Sequence, residues 1–167
     1  MTGRAQVRLR AAERGDIVAL IDLLRRSWLR TWAPELPFAA VRVFVEQDPV
    51  TDYVRDHYAA FVLAVRDDAI VGMVHVAADR IESIEVDPRI LRSGIGHVVL
   101  THAEAHIGQS HSTARLEVRA FNHGAMAFYH GHGWVETARY PAIECGSSVD
   151  TIALSKVVNR TPAQAGA

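Results

Sequence analysis

Hydrophobic and polar positions follow two different periods along this chain, and the switch between them marks its centre. In the stretch IESIEVD, Ile84 and Val86 alternate with Ser83, Glu85 and Asp87, the period-two pattern of a half-buried strand. Asp87-Pro88 ends the strand, because proline brings no N–H to a ladder. A short basic loop follows, Arg89 to Ser93, and then Gly94-Ile95-Gly96. Beyond the glycines the period lengthens: Ile95, Val98, Val99, His102, Ala103, His106 and Ile107 form the stripe of an amphipathic helix.

The same two patterns assign the rest of the chain. Gln6 to Ala11 reads as a strand. Asp16 is the expected N-cap of a helix that buries Ile17, Leu20, Ile21, Leu24 and Trp28 and leaves Arg25, Arg26 and Arg30 solvated. Pro34 and Pro37 stop it. Phe38 to Gln47 and Thr51 to Tyr58 are weaker helical patterns, split by Asp48-Pro49. Ala60 to Arg66 and Ile70 to Ala77 read as an antiparallel hairpin about Asp67-Asp68-Ala69, and Asp79-Arg80 leads into the central strand. Ala114 to Ala120 alternates strictly, with Leu116 and Val118 on one face and Arg115, Glu117 and Arg119 on the other. Asn122 is placed to cap a short helix, Gly124 to His132, with Gly133 as its stop and Trp134 as the apolar residue after it. Trp134 to Tyr140 and Val149 to Val157 make a last antiparallel pair, with Cys145-Gly146-Ser147-Ser148 in the loop between them. Asn159 to Ala167 reads as a frayed tail.

The resulting order is β-α-α-β-β-β-α-β-α-β-β, an α/β domain over residues 1–158 with a mixed sheet. The strand at 114–120 should run parallel to the one ending at Val86, because a helix joins them. Such a pair, flanked by antiparallel strands, can part at the strand ends and admit a ligand. Three successive antiparallel strands precede the glycine turn, whereas a doubly wound dinucleotide fold opens on a parallel βαβ unit.

Composition narrows the function classes only a little. A net charge of −1 with nine uncounted histidines argues against a nucleic-acid-coating surface. No apolar run approaches a membrane span, and Met1 to Leu9 has no signal-peptide core. One cysteine, Cys145, leaves no internal disulfide framework, so the cytoplasm is the expected compartment.

The candidate chemistry lies where the period changes. The first N–H groups of a helix have no partner inside it, and the helix dipole adds positive charge there. Glycine lets an anion approach the backbone, and Arg89 and Arg92 flank the turn. The turn therefore reads as a phosphate or pyrophosphate cradle; the alternative is a tight strand-to-helix turn that binds nothing.

Two motifs carry a resemblance. The first is Val86-Asp87-Pro88 with Leu91-Arg92-Ser93-Gly94-Ile95-Gly96. The second is Leu116-Glu117-Val118-Arg119-Ala120-Phe121-Asn122, running into Ala125, Phe128-Tyr129 and Gly133-Trp134. With the element order, these residues resemble the GNAT superfamily of acyl-CoA-dependent N-acyltransferases over nearly the whole chain, to about residue 157. One departure stands out: the family usually has Arg or Gln three residues before the first glycine, where this chain has Leu91.

The resemblance implies acetyl-CoA as cosubstrate, an amine acceptor, and no metal. It implies that the pyrophosphate lies on Arg92, Ser93, Gly94, Ile95, Gly96 and His97. The pantetheine arm would pair with the backbone near Ile84 to Val86, Asn122 would help hold it, and Tyr129 would lie near the sulfur. It also implies a splayed parallel pair around the coenzyme, and homodimers are common in the superfamily.

The chemistry needs a base, because a primary amine with a pKa near ~10 is mostly protonated at neutral pH. Glu117 fits by its place beside the cleft and by its match to a glutamate proposed as base in the ribosomal-protein N-terminal acetyltransferase branch; otherwise it is a solvated strand carboxylate. Glu82 and Glu85 are rivals on the central strand. A backbone N–H near Val86 is the family's usual oxyanion donor. Tyr129 would protonate the leaving thiolate; the other reading is a tyrosine packed under the sheet.

The remaining histidines, among them His102 and His106 around Glu104, and His111, His123, His130 and His132, would bind metal only if three or four converged. Trp28 belongs to the core by its spacing. Trp32 stands in the core or on the acceptor, and Pro34-Glu35-Leu36-Pro37 is a lid or a connector. Three functions fit: acetylation of a small-molecule primary amine, acetylation of a protein at an N-terminus or lysine, and a non-catalytic acyl-CoA-binding module.

Overall fold

The computed structural model describes residues 6–158, so the expectation of a frayed tail lies outside the described residues. A seven-stranded mixed sheet runs through the domain in the order β1-β2-β3-β4-β5-β7-β6. The strands are β1 (Arg8–Ala11), β2 (Phe61–Arg66), β3 (Ala69–Ala77), β4 (Arg80–Val86), β5 (Thr113–Arg119), β6 (Val135–Glu144) and β7 (Ser147–Val157). Helices α1 (Ile17–Thr31), α2 (Phe38–Gln47) and α3 (Pro49–His57) lie between β1 and β2. Both weaker helical patterns are therefore helices. Helix α4 (Ile95–Gly108) joins β4 to β5, and α5 (His123–Gly131) joins β5 to β6.

Each face of the sheet has its own core. On one, Ile95, Val99, Leu100, Ala103 and Ile107 of α4 meet Val74, Ile81, Leu116, Val118, Tyr129, Trp134, Ile152 and Leu154. On the other, Leu20, Leu23, Leu24 and Trp28 of α1 pack with Phe44, Val54, Phe61, Leu63 and Met73. The α4 stripe is shifted from its expected position: Leu100 is buried and His106 exposed. The helix rolls toward the sheet on its aliphatic side, where burial is most favourable.

Local differences have local causes. Asp16 stands at the N-cap of α1 but makes no side-chain cap. A 3₁₀ turn precedes the helix, and the Asp16 carboxylate accepts from the Glu13 N–H at 2.8 Å and from both Arg10 Nη atoms at 2.7 and 2.8 Å. Arg25 is not simply solvated, since it pairs with Asp48. The last hairpin is longer than its sequence suggests: Cys145 and Gly146, at φ 47° and 80°, make a two-residue turn of the kind that matches strand twist. Gly133 closes α5, with the Trp134 N–H reaching Tyr129 O at 3.1 Å and the indole buried behind it.

Candidate active site

Strands β4 and β5 run parallel but share one register pair, Arg80↔Arg115, with the Arg115 N–H on Asp79 O at 2.9 Å. On its other side β5 pairs with β7 from Thr113↔Val157 to Arg119↔Thr151. Past Arg80 the two strands diverge, and among the described residues Ile84 to Val86 ladder only with β3. The open edge of β4 is thus a row of backbone groups facing a wedge-shaped gap.

The register of β3 against β4 slips between His75 and Val76, which pair with Ser83 and Ile81. Glu82 is the extra residue of a β-bulge, and bulges re-aim the side chains beyond them. Ile84 and Val86 turn toward the α4 core, and Glu85 turns toward α1, where it accepts a hydrogen bond from Ser27.

At the end of β4 the chain is held by Asp87, which is 3% exposed. Its carboxylate accepts from the Arg89 N–H at 3.0 Å, from Arg89 Nη2 at 2.6 Å, and from Arg26 Nη2 at 3.3 Å. The Arg89 hydrogen bonds hold its pKa down to about 2, against the cost of burial. The expected flanking charge of Arg89 is therefore spent on Asp87, although its side chain stays exposed, and Arg92 is exposed at the turn beside it. Leu91 is 59% exposed, so the residue that departs from the family pattern projects outward.

Arg92 and Gly94 have φ of 61° and 85°, and the first helical bond runs from the Val98 N–H to Gly94 O at 3.2 Å. The N–H groups of Ile95, Gly96 and His97 consequently have no acceptor within the helix. A Cβ on Gly94 would meet nothing within 4 Å, so the turn opens onto free space. Gly96 serves closeness instead: a Cβ there would stand 3.3 Å from the Phe128 ring. The Ile95 side chain is in the core and Ser93 is half-buried. His97 Nδ1 lies 3.0 Å from His132 Nε2, and His132 Nδ1 lies 2.7 Å from Phe128 O. The turn, the open β4 edge and the dipole of α4 fit an elongated ligand with a pyrophosphate at one end.

Tyr129 lies in the α4-side core and Glu85 faces α1, near enough for the Glu85 charge to act on the phenol. Tyr129 is 8% exposed, and burial, with the Glu85 charge second, raises its pKa well above the usual phenol value. Glu85 is half-buried, and desolvation pushes its pKa up to about 7, opposed by hydrogen bonds from Ser27 and Ser83. Glu117 lies toward the paired end of β4 and β5. It accepts from Arg80 Nη1 at 2.7 Å, and hydrogen bonds from Tyr140 first, then Arg80, hold its pKa below the ordinary value. Asn122 Oδ1 accepts from the Ala125 N–H at 3.1 Å, capping α5.

Near the α1 end of the cleft, the fold joins residues that the sequence left unconnected. Glu144, at the end of β6, accepts from Trp28 Nε1 at 3.1 Å and from Arg119 Nη2 at 3.2 Å. Arg119 also donates to Thr151 Oγ1 at 2.6 Å and stands 5.5 Å over the Trp32 ring, which meets Phe121 edge-on at 6.1 Å. Partners 116 and 25 residues apart leave no periodic signal. Among the described residues, no group of three or more His, Cys, Asp or Glu side chains could hold a metal ion. Among the same residues, no helix is long and apolar enough to cross a membrane.

Comparison with known proteins agrees with this geometry. Residues 17–134 match the model of the Acetyltransferase (GNAT) family. The fold is similar to that of PaiA N-acetyltransferase from Thermoplasma acidophilum, solved in complex with coenzyme A, at TM-score 0.75 and 18% identity over 91% of this chain and 99% of that one. It is similar to ribosomal-protein-S18-alanine N-acetyltransferase from Escherichia coli, at TM-score 0.67 and 18% identity over 97% and 99%. It is also similar to YncA from Salmonella typhimurium, a putative acetyltransferase solved with acetyl-CoA, at TM-score 0.69 and 13% identity over 98% and 100%. No curated protein matches the chain by sequence. With the family model spanning most of the chain and the splayed pair and glycine turn in place, the chain belongs to the acetyltransferase (GNAT) family and is an acyl-CoA-dependent acetyltransferase.

Proposed function

We propose that this enzyme transfers the acetyl group of acetyl-CoA to the primary amine of a small molecule. The observation that carries the choice of acceptor is the Glu144 bridge, which ties the end of the β6–β7 hairpin to Trp28 of α1 and to Arg119 of β5. A peptide backbone needs an open groove between such walls, and a bridge joining them leaves less room for one. Trp32 and Phe121 offer an aromatic surface beside it.

In this reading acetyl-CoA supplies a thioester carbonyl as acyl donor. The N–H groups of Ile95, Gly96 and His97 hold its pyrophosphate, with Arg92 adding charge and Ser93 and Gly94 shaping the turn. The open edge from Ile84 to Val86 pairs with the pantetheine arm, and the Asn122 amide steadies it. Glu85 removes the proton from the ammonium of the acceptor, because a base works best with a pKa near the operating pH. Glu117, held ionised by Tyr140 and Arg80, is too weak a base for that step and acts as a fixed charge near the cleft. Tyr129 stays protonated and gives its proton to the leaving sulfur. The desolvation that raises the phenol pKa raises a thiolate's in the same place, so the transfer stays balanced. The reading includes a cytoplasmic setting, in keeping with the free Cys145, and a homodimer, for which the exposed Val135 and Ile143 on edge strand β6 offer apolar surface.

The test is initial-rate kinetics with acetyl-CoA against 2-phenylethylamine, spermidine and an alanine-led hexapeptide. At least one small amine should exceed the peptide in kcat/KM. A peptide preferred over both amines would overturn the small-molecule reading and leave the transferase assignment in place.

A further inference from the structure

Behind Glu85 a line of polar side chains runs through the core beneath α1–α3. Ser83 and Glu85 are two residues apart on β4 and share that face, and His75 of β3 lies directly across from Ser83. Tyr53 of α3 drops onto the pair, with its hydroxyl 2.7 Å from His75 Nδ1. Ser83 stands between Glu85 and His75 on that face, and its hydroxyl acts electrostatically on both Tyr53 and Glu85. His75 is 6% exposed, with its ring 5.2 Å from that of Phe61 on one side and 5.2 Å from that of His57 on the other. His57, at the last turn of α3, is exposed. The neighbours of this line are Phe61, Leu63, Met73 and Val54, all apolar and buried. Polar groups in such a setting cost stability unless every one is partnered. A serine, a tyrosine and a histidine set in line from the candidate base to the surface are therefore more than packing.

We propose that Ser83, Tyr53 and His75 form a proton exit from Glu85 to solvent at His57. The inference rests on Glu85 as the base. When acetyl-CoA and the acceptor fill the gap, the cleft side of Glu85 is covered, and its proton must leave by the back. Protonated Glu85 donates to Ser83 Oγ, the Ser83 proton passes to the Tyr53 hydroxyl, and the Tyr53 proton passes to His75 Nδ1. His75 then releases its Nε2 proton toward His57 and water. One proton crosses and no electron moves, since each hydroxyl gains and loses one O–H bond. Burial first, and His57 second, lower the His75 pKa, so the imidazole passes the proton on instead of keeping it. The charged or titratable groups that act on His75 are His57, Glu82 and Tyr53. Ser83, Tyr53 and His75 are positioning residues, acting through Glu85 and touching no substrate.

The relay can be read without turnover, by ¹⁵N NMR of the histidine rings across pH 5 to 9. His75 should report a transition near the Glu85 pKa of about 7. That transition should vanish in Glu85→Gln and in Tyr53→Phe, while Glu85 itself still titrates in Tyr53→Phe by ¹³C carboxyl shifts. With acetyl-CoA and 2-phenylethylamine, Tyr53→Phe should lose about tenfold in kcat with coenzyme affinity unchanged, and added imidazole should restore rate to His75→Ala. A His75 signal indifferent to both substitutions overturns the relay. So does a Tyr53→Phe enzyme at full kcat when Glu85→Gln is inactive, an outcome that spares Glu85 as the base. If Tyr53→Phe fails to fold, Ser83→Ala breaks the same line one bond earlier. A Glu85→Gln enzyme at full kcat removes the base, and the relay with it.

Discussion

The Trp28 indole donates to Glu144 Oε1 at 3.1 Å while its ring stacks on Phe44 with centroids 3.6 Å apart, so one side chain joins α1, α2 and the far hairpin. Trp28→Phe keeps the stack and deletes the bond. A hydrogen bond to a charged group contributes about 1.5–3 kcal/mol, and its loss should free the hairpin end. We expect the KM for small amines to rise severalfold, the coenzyme Kd to stay constant, and peptide turnover to improve. Unchanged KM for every acceptor would mean that the bridge does not border the acceptor site.

Gly94 holds the turn at φ 85°, a conformation that costs an L-residue about 1–2 kcal/mol. Gly94→Ala should weaken acetyl-CoA binding through strain alone. Gly94→Asp should abolish it, adding a negative charge where the pyrophosphate would lie. Isothermal titration with acetyl-CoA, using NAD as control, separates the two. Equal and unchanged Kd values in both variants would remove the turn from coenzyme binding.

Glu85 carries opposite signs for activity and stability. Its pKa rises from 4.5 when unfolded to about 7 when folded, so the native state binds more protons between those values and stability falls as pH rises through that window. The ionised carboxylate costs up to about 3 kcal/mol above pH 7. Glu85→Gln should therefore melt higher than wild type at pH 8, with the gain gone at pH 4.5, and should lose most of kcat. Wild-type kcat should climb with pH through about 7. A lower melting temperature for Glu85→Gln at pH 8 would contradict the burial cost.

Tyr129 is packed against Phe128 and Trp134, with ring centroids 5.2 and 6.0 Å away, and among the described residues no hydrogen bond engages its hydroxyl. Tyr129→Phe should leave the unfolding free energy within about 1 kcal/mol of wild type, since no bond is broken. Single-turnover rates should fall by about 10²-fold, the usual share of a proton donor. Full activity in Tyr129→Phe would return the residue to the core.

Much of this was legible because it is local. The change of period at Gly94, the Asn122 cap and the Gly133-Trp134 stop each depend on residues a few positions apart. The proposal of Glu85 over Glu82 and Glu117 was not. It turns on the bulge at Glu82, on Ser27 reaching Glu85 across 58 residues, and on Arg80 and Tyr140 closing on Glu117. Likewise Arg89 reads as a free charge in the sequence, and only the fold reveals Asp87 buried beneath it.

The single rung between Arg80 and Arg115 divides the sheet into a four-stranded and a three-stranded plate hinged at one corner. Separately laddered regions open as separate cooperative units. Amide exchange should accordingly show two protection plateaus in the ligand-free enzyme, one for β1–β4 and one for β5–β7. A coenzyme lying along the hinge stands in for the missing rungs, and its binding should merge the two plateaus into one.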